Sequence, residues 1–183
     1  MKNVKTVILT TVALTLICAV AAGLLALTNH FTADKIAQVE KDAQSSAMKR
    51  IVAAEKFEEA EIDGTSYNIA TDSEGKILGY IFTTSANGYG GEVKVMTGID
   101  QNGNIIAIEV VSAGDETPGL GQNATKSSFW DLFKGKSGKL AVAKNASADN
   151  EIQAMTGATI TSNAVVTAVN EATALFEKVK EAE

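Results

Sequence analysis

In 183 residues the chain has one cysteine and one histidine, which argues against a disulfide framework, a cysteine-rich metal centre, a multi-histidine metal site or a Ser-His-Asp hydrolase. Its 16 lysines and arginines against 22 aspartates and glutamates give a net charge of −6, the wrong sign for neutralising the phosphates of nucleic acid. With 45% hydrophobic residues the length suits one folded domain, and any cofactor is expected to be organic.

The first element is an uncharged run of 21 residues, Val7 to Leu27, close to the roughly 20 apolar residues that cross a bilayer as a helix. Thr10, Thr11 and Thr15 are tolerable there because a helical threonine hydroxyl can bond a carbonyl one turn back. Lys2 and Lys5 precede the run, so the positive-inside rule expects residues 1–6 in the cytoplasm, 7–27 in the membrane and 28–183 outside. Ala19-Val20-Ala21 also fits a signal-peptidase site, but the apolar stretch continues through Leu24, Leu25 and Leu27, which favours an uncleaved anchor. Cys18 follows Ile17 rather than the small residue of a lipobox and reads as an ordinary membrane residue. Without Lys2 and Lys5 the exported part keeps 14 basic and 22 acidic groups, a charge of −8.

Thr32 can cap a helix whose apolar positions Ile36, Val39, Ala43, Ala47 and Ile51 recur at helical spacing. Glu55 to Glu61 reads as its solvated, charged end, with Glu58, Glu59 and Glu61 in water rather than on a metal. The period then changes. Tyr67 to Ala70, Ile77 to Thr84, Val93 to Ile99 and Ile105 to Ser112 are short β-branched or aromatic runs, separated by turn chemistry at Asp72 to Gly75 and by the hairpin pair Asn102-Gly103. Lys126 to Phe133 reads as a short amphipathic helix with Phe129, Trp130 and Phe133 in the core. The last helix, about Ser162 to Lys180, carries the stripe Val165, Val169, Ala172, Leu175, Phe176 and Val179. The fold class is α+β, an antiparallel sheet packed with helices behind one transmembrane helix.

Three loops hold the remaining signals. Gly88-Tyr89-Gly90-Gly91 lacks the Gly-Lys-Ser/Thr of a phosphate loop; it reads as a sharp connection or a close backbone approach to a planar ligand. Gly114 to Gly121 contains the only proline, and its Pro118-Gly119 step favours a tight turn with positive φ at the glycine. Met155 to Ser162 immediately precedes the last helix, where unpaired amides and the helix dipole favour an anion such as phosphate. Thr161 or Ser162 is expected to cap that helix, and the small Gly157-Ala158 step leaves Thr159 reachable by another enzyme.

Thr156-Gly157-Ala158-Thr159 followed by Ile160-Thr161-Ser162 resembles the flavinylation motif of the FMN-binding domain family. Gly88-Tyr89-Gly90-Gly91 leading into Val93-Lys94-Val95-Met96, and Glu116-Thr117-Pro118-Gly119-Leu120-Gly121, match that family too. With its N-terminal anchor the chain resembles, over essentially its full span, the G subunits of Rnf ion-translocating electron transport complexes. The resemblance implies one FMN joined through a phosphoester to Thr159. Thr156, Gly157, Ala158, Glu116, Thr117, Pro118, Gly119 and Leu120 would surround it. It further implies a flavin transferase for maturation, the other Rnf subunits and the lipid bilayer as partners, and electron transfer coupled to Na⁺ or H⁺ movement without independent catalysis. Gln153 stands where the family usually has aspartate. The C subunit of sodium-translocating NADH:quinone reductase shares the motif and is the alternative, as is a flavinylated carrier of another extracytoplasmic redox chain.

Overall fold

The computed structural model describes residues 2–182, and the chain divides into two units, Met1–Ala43 and Gln44–Glu183. Helix α1 runs from Lys2 to Ile51. Within the first unit one stretch, Val4–Ala33, is long and apolar enough to cross a membrane. Its large side chains lie exposed, Leu9 at 71% and Leu25 at 72%, as lipid-facing residues do. Thr10, Thr11 and Thr15 donate to the carbonyls of Thr6, Val7 and Thr11 at 2.9–3.0 Å, so none of these three hydroxyls is left unpaired. Thr32 does the same to Thr28 at 2.9 Å. It is therefore an interior residue of a continuous helix, and the expected cap and second helix start at Thr32 are absent.

In the second unit five strands form an antiparallel meander in chain order: β1 (Lys56–Ile62), β2 (Thr65–Thr71), β3 (Ile77–Asn87), β4 (Glu92–Ile99) and β5 (Ile105–Ser112). The acidic segment expected to end a helix is thus an edge strand. Its Glu58, Glu59 and Glu61 are exposed and blunt the edge, while Ala60 and Ile62 pack on one face of the sheet and Phe57 on the other. Asp63-Gly64 joins β1 to β2 with both residues at positive φ, 50° and 76°. The β4–β5 connection is longer than a two-residue hairpin. Asp100 accepts the amides of Asn102 and Asn104 at 2.8 and 2.9 Å, and of the Asn102-Gly103 pair only Gly103 has positive φ.

Alternation along the strands gives the sheet two apolar faces. Helix α3 (Thr159–Ala182) covers one, setting Val165, Val169, Ala172, Phe176 and Val179 against Tyr80, Phe82, Val93, Val95 and Ile99; all are at most 2% exposed. Each large side chain among them contributes about 1.5–3 kcal/mol of burial. Tyr80 meets Phe176 edge-on at 5.5 Å. The last turns of α1 cover the other face, placing Ala47 and Ile51 with Ala70, Ile81 and Met96. A Cβ at Gly98 would collide with the Ile51 side chain, so glycine there lets the helix sit down on the sheet. Arg50 fastens the contact with two hydrogen bonds, 2.9 and 2.5 Å, to the Glu109 carboxylate.

Beyond β5 come a 3-10 turn (Gly121–Thr125), the short helix α2 (Ser127–Trp130) and a second 3-10 turn (Asp131–Phe133), which bury Phe129 and Phe133 as expected. Two three-residue strands, β6 (Ala141–Ala143) and β7 (Glu151–Gln153), pair in parallel and lead into the segment before α3.

Candidate functional site

Two tight turns of the same build face each other. In the first, the Leu120 amide donates to Thr117 at 3.1 Å, with Pro118 and then Gly119 at φ +78° between them. In the second, the Ala158 amide donates to Met155 at 3.0 Å, with Thr156 and then Gly157 at φ +74° between them. Both place glycine where a type II turn requires positive φ. They touch: a Cβ on Gly157 would stand 3.0 Å from Leu120 Cδ2.

Helix α3 begins directly after the second turn. Its first closed bond is Ser162 N–H to the Ala158 carbonyl at 2.9 Å, so the amides of Thr159, Ile160 and Thr161 precede the intrahelical ladder. Ser162 Oγ also donates to the Ala158 carbonyl and accepts the Met155 amide at 3.0 Å, stapling the turn to the helix. Thr161 is no cap. It is 1% exposed, and its hydroxyl donates to Glu116 Oε2 at 2.6 Å.

Glu116 is 3% exposed and accepts from two directions, the Thr161 hydroxyl and, at Oε1, the Gly90 amide at 3.0 Å. Burial pushes its pKa up, but the hydrogen bonds from Thr161 and from the Gly90, Tyr89 and Gly91 backbone prevail and hold the carboxyl below its ordinary value. The glycine-rich connection between β3 and β4 therefore does bring backbone close to something, and that something is Glu116 and its neighbour. A Cβ at Gly88 would strike Glu116 Oε1, and one at Gly90 would strike the Asp115 carbonyl.

Around these parts lies a cavity of about 610 Å³, lined by Tyr89, Glu116, Thr117, Leu120, Gly121 and residues 157–161. The volume falls within the roughly 300–1,000 Å³ of small-molecule sites. Thr159, the first residue of α3, is exposed in its wall; Tyr89, Leu120 and Ile160, 72%, 42% and 54% exposed, supply apolar surface. A hydroxyl at a helix start, free amides for a phosphate and apolar surface for a planar ring fit a flavin mononucleotide.

Of the residues singled out from sequence, Glu116, Thr117, Leu120, Gly157, Ala158 and Thr159 share this cavity. Thr156 and Gly119 line a neighbouring groove with Gln153, Lys126 and Phe129, and Pro118 lines neither. Tyr89, Gly121, Ile160 and Thr161 also line the cavity; all four lie in stretches that the sequence singled out, but none was among the expected flavin contacts. Gln153 accepts the Ala146 amide at 3.0 Å and donates to the Lys144 carbonyl, a pair of bonds that an ionised aspartate cannot make because it has no donor.

Residues 88–174 match the FMN-binding domain, which holds the glycine-rich connection, both turns and most of α3, and residues 1–51 match the RnfG N-terminal region. The chain is 37% identical over 161 residues to the G subunit of the proton-translocating ferredoxin:NAD(+) oxidoreductase complex of Clostridium ljungdahlii, covering 87% of this chain and 85% of that one. It is also 37% identical over 183 residues to the G subunit of the Na(+)-translocating ferredoxin:NAD(+) oxidoreductase complex of Acetobacterium woodii, with 88% and 87% covered. It belongs to the family of G subunits of these ion-translocating oxidoreductase complexes. Among solved structures it is similar to the C subunit of Na(+)-translocating NADH-quinone reductase from Parabacteroides distasonis, with a TM-score of 0.54, 26% identity, and 62% of this chain and 61% of that one covered.

Proposed function

We propose that this chain is the flavin-bearing electron-transfer subunit of a membrane-bound, Rnf-type ion-translocating ferredoxin:NAD oxidoreductase. It holds one FMN through a phosphoester to Thr159. The observation that carries this reading is the position of Thr159, exposed at the first turn of α3 in the wall of the apolar-rimmed cavity. The flavin supplies the electron transfer when bound. The protein's share is attachment at Thr159 Oγ1, anion stabilisation by the amides at the start of α3, and apolar surface from Leu120, Ile160 and Tyr89 against which a ring would lie. Thr156, Gly157 and Ala158 present the hydroxyl; Thr117, Pro118 and Gly119 set Leu120. The quinone-reductase alternative is weaker, because the relatives matched at 37% identity are G subunits and the match to the C subunit is 26% identical.

In this reading residues 1–6 are cytoplasmic, 7–27 span the cell membrane and 28–183 lie outside it, since Lys2 and Lys5 precede the apolar run. Its partners are the other members of the complex, a flavin transferase and the bilayer. Protease added to intact spheroplasts should digest the domain; protection would reverse the orientation. Co-expression with a flavin transferase should give a yellow protein heavier by one FMN less one water. Thr159→Ala should lose both colour and mass, and a Thr159→Ala protein that still carries covalent FMN would refute the site.

A further inference from the structure

We infer that Glu116 is a positioning residue: its carboxylate is the centre of a clasp that pre-forms the attachment site, rather than a group spent on the flavin itself. The inference rests on the reading that Thr159 carries FMN. Three segments far apart in sequence meet at this side chain. Oε2 takes the hydroxyl of Thr161, two residues beyond Thr159 in α3; Oε1 takes the Gly90 amide of the β3–β4 connection; and the backbone of Glu116 itself begins the loop that ends in Leu120 and Gly121.

The glycines around it have a common cause. A Cβ on Gly88 would overlap Oε1, and one on Gly121 would overlap Oε2 and stand 2.8 Å from Thr161 Oγ1. The glycine-rich connection and the proline-containing loop are therefore two halves of one carboxylate-centred unit. Of the first half only Tyr89 lines the cavity, while Gly88, Gly90 and Gly91 pack against Glu116 and Asp115. At 3% exposure the carboxylate has little water to replace a lost partner, so deleting it leaves the Thr161 hydroxyl and the Gly90 amide to find other acceptors. The first turn of α3 and the wall opposite it then lose their common anchor.

The test uses the full chain and two readouts. In the flavin-free protein, Glu116→Ala should remove hydrogen-exchange protection from the Gly90 amide, while amides of β4 in the core stay protected. During modification by a flavin transferase, Glu116→Ala should be flavinylated roughly tenfold more slowly or worse, the scale of losing hydrogen bonds to a charged acceptor. Glu116→Gln keeps one carbonyl acceptor and should recover part of the rate. Thr161→Ser keeps the hydroxyl and should approach the unsubstituted protein, whereas Thr161→Val should slow flavinylation like Glu116→Ala while the Gly90 amide keeps its bond to Glu116 Oε1. Should Glu116→Ala fail to fold, Thr161→Val and Glu116→Gln carry the rate comparison, and Glu116→Gln the exchange comparison. A Gly90 amide as protected as before in Glu116→Ala, or flavinylation at an unchanged rate in Glu116→Ala and Thr161→Val, would overturn the proposal. If the unsubstituted protein takes no FMN, the function fails while the exchange measurement still judges the clasp.

Discussion

Replacing Gly119 by valine isolates one contribution, backbone strain, at the wall of the proposed flavin site. Nothing lies within 4 Å of where the new Cβ would stand, so no neighbour resists it. The whole cost comes from φ +78°, a conformation that costs an L-residue about 1–2 kcal/mol and a β-branched one more. A penalty of that size changes a conformational ratio roughly 5- to 30-fold, enough to replace the turn by another loop geometry. The turn would lose the bonds from Leu120 and Gln122 to the Thr117 carbonyl, 3.1 and 3.2 Å, and the bond from Asn123 Nδ2 to the Gly119 carbonyl, 2.7 Å. Leu120 would then leave the cavity wall, while Thr159 keeps its chemistry. The expected product is fully flavinylated, with a shifted flavin absorption spectrum and midpoint potential. Gly119→Asn should stay close to the unsubstituted protein because asparagine tolerates left-handed φ. A Gly119→Val protein with unchanged spectrum and potential would refute the assignment of this turn to the flavin's surroundings.

The Thr97 hydroxyl is fully buried with no hydrogen-bond partner among the described residues, so Thr97→Val should raise stability by about 1 kcal/mol, read as a melting temperature a few degrees higher; a lower melting temperature would show that the hydroxyl is satisfied. Acid should destabilise the domain through two carboxylates. At Asp100 burial pushes upward but bonds from Asn104 and Asn102 prevail, and at Glu116 the bonds prevail likewise, so both pKa values are lowered on folding. Their contribution is present above the unfolded value of about 4 and is lost as pH falls through the folded values. Denaturant melts between about pH 6 and pH 3 should show this decline, reduced in Asp100→Asn; an equal decline in that variant would exclude Asp100 as a source.

The central strands are legible in the sequence because β-branched and aromatic residues are dense from Ile77 to Ser112 and turn residues separate the runs. β1 is hidden by its charged residues, four in a strand of seven, which resemble a solvated helix end; its register with β2 supplies what its composition does not. The Asp63-Gly64 pair is the local signal that could reveal it. Thr32 misleads because a threonine before a helical pattern looks the same whether it caps a new helix or bonds backward inside an old one. At the site, local order makes Thr156 to Thr159 readable, whereas the role of Thr161 depends on Glu116, 45 residues earlier, and no periodicity encodes that pairing.

The flavin should be carried by Thr159 and by no other hydroxyl, and peptide mapping tests this most directly. Trypsin should release residues 145–178, bounded by Lys144 and Lys178, as one peptide that contains Thr156, Thr159 and Thr161. Fragment masses from the protein matured with a flavin transferase should step by threonine plus FMN less one water at Thr159, with Thr156 and Thr161 unmodified. A step at Thr156 or Thr161, or an unmodified peptide from a protein that is visibly yellow, would contradict the account.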